Sequence, residues 1–130
     1  MPTLFTRIIN GELPGRFVYT DDQVVAFLSI APLNPGHTLV VPRAEVDQWT
    51  DADGPLLHHL MDVAQRIGGA AKRAFEAPRA GVVIAGLEVP HLHVHVFPAW
   101  SEGDFNFARA KPATDEELDS AADRLRAALG

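Results

Sequence analysis

Apolar residues in the first third of the chain come in short runs separated by turn formers. Later they recur at three- and four-residue spacing. Residues 3–9 read as a short helix or turn, stopped by Asn10-Gly11-Glu12-Leu13-Pro14-Gly15. Phe17-Val18-Tyr19 is a strand and residues 20–23 a hairpin turn. Residues 24–30 are rich in strand formers and mostly apolar, as an inner strand requires, and Pro32-Leu33-Asn34-Pro35-Gly36 closes them. His37-Thr38-Leu39-Val40-Val41 forms the next strand, ended by Pro42.

The period then changes. Leu57, Leu60, Met61, Ala64, Ile67, Ala71 and Phe75 make one stripe along a helix, with Thr50 and Asp53 available for its cap and Pro55 tolerated in its first turn. Gly68-Gly69 costs this helix about 1 kcal/mol per residue against alanine. That cost points to a backbone approaching closely, with packing on a second subunit as one reading. Residues 81–85 and 90–97 supply two further strands, and residues 101–111 look irregular. Thr114 with Glu117 is a capping-box signature for a last helix over about 114–129, striped by Leu118, Ala122, Leu125 and Leu129. The expected fold is α+β in one domain of 130 residues, a mainly antiparallel sheet of about five strands with two main helices covering one face.

Composition narrows the functions available. At 47% hydrophobic and 22% charged the chain has enough apolar material for a core, so disorder is not expected. No apolar run approaches a membrane span, and the first residues lack the charged and apolar regions of a secretory signal. A net charge of −6 argues against binding nucleic acid polymers through their backbones. The lack of cysteine removes a disulfide framework and fits a reducing, cytoplasmic setting.

Against this plain background, His91-Leu92-His93-Val94-His95-Val96-Phe97 stands out. In a strand, His91, His93 and His95 project to one face while Leu92, Val94 and Val96 pack on the other. Imidazole titrates near neutrality and serves as nucleophile, proton carrier or metal ligand. Geometry weighs against one zinc ion held by all three, because at roughly 3.3 Å per residue His91 and His95 begin about 13 Å apart. A His-x-His pair with a third ligand from elsewhere remains open as a metal site, as does a chance arrangement. A catalytic row leads these readings. His58-His59 reads as helix surface or boundary, Asp21-Asp22 as a turn, and Trp49 and Trp100 as packing residues, with Trp100 placed to reach a neighbouring site in a dimer.

The histidine run resembles the His-x-His-x-His-x-x signature of the histidine triad (HIT) nucleotide hydrolases and transferases. Ile8-Ile9-Asn10-Gly11-Glu12-Leu13-Pro14, Ala26-Phe27-Leu28 and Pro35-Gly36-His37-Thr38-Leu39-Val40-Val41-Pro42 resemble other blocks of that family, in order, so the likeness covers roughly residues 4–98. It implies an antiparallel sheet with helices on one side, usually paired as a homodimer. By the same resemblance His93 attacks the α-phosphorus of a purine nucleotide derivative, giving a nucleotidyl-histidine that water resolves. His91 and His95 then donate hydrogen bonds to the phosphate, and His37 supports them from the neighbouring strand. Phe5, Ile8, Phe27 and Ile30 correspond to residues around the base, and Gly86 and Leu87 to phosphate contacts. No cofactor is implied. Members that hold structural zinc use N-terminal cysteines, absent here, and a histidine after the Pro-Lys/Arg pair, where this chain reads Pro42-Arg43-Ala44-Glu45; no zinc is expected.

The departures are specific. Ser29 stands where an aspartate usually grips both ribose hydroxyls, and a hydroxyl offers less than a carboxylate. Leu87 replaces a glutamine and cannot hydrogen-bond, and Glu88 repels phosphate if turned inward. The usual asparagine is missing from residues 81–85. Substrates in view are nucleoside phosphoramidates, adenylates and dinucleoside polyphosphates. The rival is a nucleotide-binding regulatory protein with little turnover.

Overall fold

The computed structural model describes residues 2–130. Five strands form one sheet: β1 (Phe17–Thr20), β2 (Val24–Leu28), β3 (Thr38–Pro42), β4 (Arg79–Val83) and β5 (Val94–Ala99), in the order β1-β2-β3-β5-β4 with every neighbour antiparallel. Three helices accompany them, α1 (Leu4–Ile9), α2 (Gly54–Phe75) and α3 (Asp115–Leu129).

Strand alternation divides the core in two. Val24, Ala26, Val40, Val94 and Val96 face Leu60, Val63, Ala64 and Ile67 of α2. Leu28 reaches Leu118, Ala122 and Leu125 of α3, which lies beside α2. On the other face Val25, Phe27, Leu39 and Val41 pack under Phe5 of α1. The two long helices therefore cover one side, and the short N-terminal helix stands on the side that carries the histidines.

The helices start where the caps foretell. Asp53 Oδ1 accepts the Leu56 amide at the head of α2, and Thr114 and Glu117 form a reciprocal capping box on α3. The close approach expected at Gly68-Gly69 is within the chain: a Cβ on Gly68 would sit 3.2 Å from the Cβ of Ala80 in β4, so α2 presses on its own sheet there. Gly36 is demanded twice, by a φ of +96° and by the Phe75 ring that fills the space of any side chain. It sets the approach of His37 to β3.

Two expected strands are shorter than their sequence suggests. β2 stops at Leu28, leaving Ser29 and Ile30 in the connection, because the turn from Pro32 to Gly36 begins at once. β5 starts at Val94, so His91 and His93 precede the strand rather than lying in it. Pro42 explains the shortening. It has no N–H for the ladder, its carbonyl accepts from the His91 ring, and the Leu92 amide goes past it to the Val46 carbonyl. The in-and-out alternation survives without the ladder, with Leu92 joining the α2 core.

After β5 the chain makes two 3-10 turns, Glu102–Asp104 and Phe107–Arg109. Asp104 ties them down, accepting from the Trp100 and Ser101 amides and from Arg109. The segment seats Phe105 on Phe97 and Phe107 on His95. Trp49 and Trp100, expected to pack, are each about half exposed (50% and 52%), because both lie in connections beyond strand ends.

Candidate active site

His95 lies in β5 opposite Leu39 of β3, and His37 stands one residue before β3. The His37 Nε2 and His95 Nδ1 atoms are 2.9 Å apart, and His37 Nδ1 accepts the Leu33 amide at 3.0 Å. Burial drives the His37 pKa down to about 3 and that of His95 to about 4, with the neighbouring imidazoles adding to the effect. Both rings are neutral at pH 7. Since the Leu33 N–H occupies His37 Nδ1, the proton of that ring is on Nε2 and is donated to His95 Nδ1. His95 then carries its own proton on Nε2, facing the site.

His93 is nearly buried, and its Nδ1 lies 2.7 Å from the His91 carbonyl. A carbonyl only accepts, so Nδ1 holds the proton and Nε2 keeps a free lone pair. Burial lowers the pKa of this ring below the ordinary imidazole value, against an opposing effect of the hydrogen bond to His91. The ring stands edge-on to Phe5 at 4.8 Å and to His95 at 4.9 Å.

His91 is placed otherwise than the sequence suggests. It is fully buried, its Nε2–H donates to the Pro42 carbonyl at 2.7 Å, and its Nδ1 meets the Thr3 hydroxyl at 2.6 Å. With both nitrogens engaged inside the protein, His91 has no donor left for a phosphate. The expectation that it lines the phosphate is corrected. Thr3 also caps α1 by accepting the Thr6 amide, while the Thr3 amide and the Thr6 hydroxyl both donate to Glu45. These bonds hold the Glu45 carboxyl below its usual range, the Thr3 amide foremost. Glu45 thus ties the start of α1 to the segment after Pro42-Arg43.

Among the described residues no three His, Asp or Glu side chains gather as a ligand set. Thr3, Thr6 and Glu45 give oxygen atoms already hydrogen-bonded to one another and to His91, an ill fit for zinc. The triad and His37 leave two ring nitrogens toward the site, a lone pair on His93 and an N–H on His95. Such a pair can attack an electrophile and hydrogen-bond the oxygen it carries.

Two cavities border this centre. One is an apolar cleft of about 520 Å³, which brings together Phe5, Ile8, Phe27, Ser29 and Ile30. Phe5 and Phe27 form its floor, Ile30 stands on its rim at 72% exposure, and the Ser29 hydroxyl oxygen accepts the Ala31 amide. The other, of about 230 Å³, has His93 in its wall with Gly86 and Leu87, the remaining two expected contacts. Leu87 is 93% exposed. A further depression of about 660 Å³, between α2 and β4, lies among Met61, Gln65, Gly69 and Val82, without any of the four histidines.

Three residues beside the histidines carry no motif: Thr3, Trp49 and Phe107. Trp49 lines the smaller cavity, and Phe107 stacks edge-on against His95 at 4.8 Å. Thr3 had a readable signal, a hydroxyl residue just before a helix. The other two lie in connections whose course only the tertiary structure fixes.

A family model described as the HIT domain matches residues 10–101. The chain belongs to the HIT family. An uncharacterized HIT-like protein of Borreliella burgdorferi is 39% identical over 113 residues, covering 82% of this chain and 81% of its own. The crystal structure of a hypothetical histidine triad nucleotide-binding protein from Sulfolobus tokodaii superposes with a TM-score of 0.85 at 30% identity, over 96% of this chain and 90% of that one. A zinc-bound histidine triad family protein from Mycobacterium smegmatis gives 0.84 at 30% identity, over 97% and 91%. The five-stranded antiparallel sheet with its helices is thus a HIT fold. No helix among the described residues of this HIT protein is long and apolar enough to cross a membrane.

Proposed function

We propose that the protein is a hydrolase or nucleotidyl transferase acting at the α-phosphate of a purine nucleotide derivative, with His93 as nucleophile. The observation that carries this is the orientation of His93, whose Nδ1–H is held on the His91 carbonyl at 2.7 Å so that Nε2 presents a lone pair beside the His95 N–H. A neutral imidazole of fixed tautomer is a competent nucleophile at pH 7. His95 donates Nε2–H to a phosphate oxygen as charge gathers there, and His37 holds His95 in the tautomer that can do so. The nucleoside enters the cleft of Phe5, Ile8, Phe27 and Ile30, where Ser29 offers its O–H to the ribose. Attack yields a nucleotidyl-histidine that water resolves, with no cofactor required.

A second reading, a nucleotide-binding regulatory protein with little turnover, is supported by Leu87. Its side chain stands almost wholly in solvent and supplies no hydrogen bond where the resemblance implies glutamine. A homodimer suits the edge strand β4, whose outer backbone has no strand partner among the described residues and whose Val82 is exposed beside Met61. A cytoplasmic site of action fits the reading of the sequence.

The deciding experiment is intact mass after rapid, acid-free quenching with an adenosine phosphoramidate, for wild type and His93→Ala. A nucleotidyl adduct on wild type alone is expected. Nucleotide binding with neither adduct nor product would instead favour the regulatory protein.

A further inference from the structure

We propose that Phe107 is a positioning residue for the reaction: its ring closes the outward side of His95 and holds that imidazole with Nδ1 on His37 and Nε2–H turned to the site. This rests on the reading of His95 as donor to phosphate and names what keeps that donor aimed.

Three rings meet His95. Those of His37 and His93, centred 5.1 Å and 4.9 Å away, belong to buried residues. The third is Phe107, edge-on at 4.8 Å and itself 41% exposed, so it is the ring that stands between His95 and solvent. A phenylalanine this open adds little to a core. Among the described residues its one ring contact is with His95.

Its backbone is fixed from both ends. Before it, Phe105 lies on Phe97 at 4.9 Å and over Gly81 of β4, where a Cβ would come within 2.5 Å of the Phe105 ring. After it, Arg109 turns back to the Asp104 carboxylate at 2.8 Å and the Gly103 carbonyl at 3.2 Å. Between them the Asn106 side chain accepts the Ala108 amide and caps the turn. The Trp100 amide foremost, then Arg109, hold the Asp104 carboxyl well below the usual carboxylate range, so this clasp stays ionised. Since Phe97 in turn lies 5.4 Å from His37, Phe105 and Phe107 grip the pair of imidazoles from two sides.

The cover matters because of where a second proton on His95 would go. The neutral ring accepts the His37 N–H on Nδ1 and carries its own proton on Nε2. A proton on Nδ1 would set N–H against N–H and break the bond that fixes the tautomer. Burial is the first cause that keeps His95 neutral, with the His93 ring second. The remaining surroundings supply no net charge. β3 and β4 bring Leu39 and Val83 opposite His95, His37 is neutral, and Asp104 and Arg109 of the covering segment pair with each other. Without the Phe107 ring, water reaches His95 and its pKa rises from about 4 toward the ordinary value.

The test compares wild type, Phe107→Ala and Phe107→Tyr, by turnover of the adenosine phosphoramidate and by NMR titration of the His95 ring in the free protein. Neither change threatens the fold at a position this exposed. Phe107→Ala should lower kcat about twofold to tenfold, the worth of one aromatic contact, with KM nearly unchanged. Its His95 titration should move to higher pH. Phe107→Tyr restores the ring and should return kcat to within about twofold of wild type, and the titration to its original place. Packing alone would change stability and leave the titration where it was. The proposal therefore falls if His95 titrates alike in Phe107→Ala and wild type, or if Phe107→Tyr is as slow as Phe107→Ala. A wild type that makes no product sinks the reading of His95 as donor. The titrations need no turnover, and they alone then decide whether Phe107 holds the ring.

Discussion

His91 and His95 flank His93 at equal distance along the chain, yet their rings meet opposite surroundings. His91 is sealed in the protein, one nitrogen on the Pro42 carbonyl and the other on the Thr3 hydroxyl. His95 spends one nitrogen on His37 and keeps the other for the site. The difference arises where the β3–β5 ladder ends. His95 pairs with Leu39 inside it, whereas His91 lies beyond it, where Pro42 offers a carbonyl and no N–H. Two residues of one motif have thus parted into a structural member, which holds the His93 ring through its carbonyl, and the residue that the proposed mechanism makes a donor to substrate.

The largest expected effect tests the donor. His95→Ala should lower kcat about 10²- to 10³-fold, as loss of one donor to a developing oxyanion does, at a cost of about 1–3 kcal/mol because the buried His37 N–H loses its acceptor. His91→Ala should lower kcat less and stability more. It strands a buried carbonyl and a hydroxyl and leaves a cavity, at a cost of about 2–4 kcal/mol read by denaturant unfolding. If His91→Ala proved the slower enzyme of the two and His95→Ala the less stable, the assignment of roles would be inverted.

Acid sharpens the same contrast. His37 and His95 have folded pKa values of about 3 and about 4, below the ordinary 6.5, so between those limits the unfolded chain binds more protons. Their contribution to stability is complete above about pH 6.5 and is lost as pH falls toward 4 and then 3. His37→Gln should flatten the dependence of unfolding free energy on pH in that window. An unchanged slope would show that the pair does not carry it. The rate should also hold below pH 6.5, since burial keeps the His93 lone pair free to lower pH than an exposed imidazole.

The sequence made much of this legible, for a physical reason. Period-two runs, the α2 stripe and the Thr114/Glu117 box are local signals, and the five strands and two long helices followed from them. The apolar residues assigned to the base also meet in one cleft, because Phe5, Phe27 and Ser29 lie on neighbouring elements. What the pattern could not reveal was long-range bonding. Alternation at residues 91–95 reads as a strand whether or not a partner ladder exists, and the ladder stops at Val94 for want of a Pro42 N–H. The Thr3 hydroxyl lies 88 residues from His91 in the chain, and nothing near His91 announces it.

The smallest effect separates two duties of Thr3. Its hydroxyl accepts the Thr6 amide as a helix cap and donates to His91 Nδ1. Thr3→Ser keeps both duties and should stay within about 0.5 kcal/mol of wild type with normal kcat. Thr3→Val loses both and should cost about 1–2 kcal/mol, with a fall in kcat as the His91 carbonyl loosens its hold on His93. Thr3→Asp keeps the cap but has no proton to give. The new carboxylate and His91 Nδ1 would then face each other as two acceptors, since the His91 Nε2–H is committed to Pro42. Thr3→Asp should therefore keep helix stability while kcat falls. If kcat is unaffected, the hydroxyl is a cap alone and His91 is oriented by Pro42 without it.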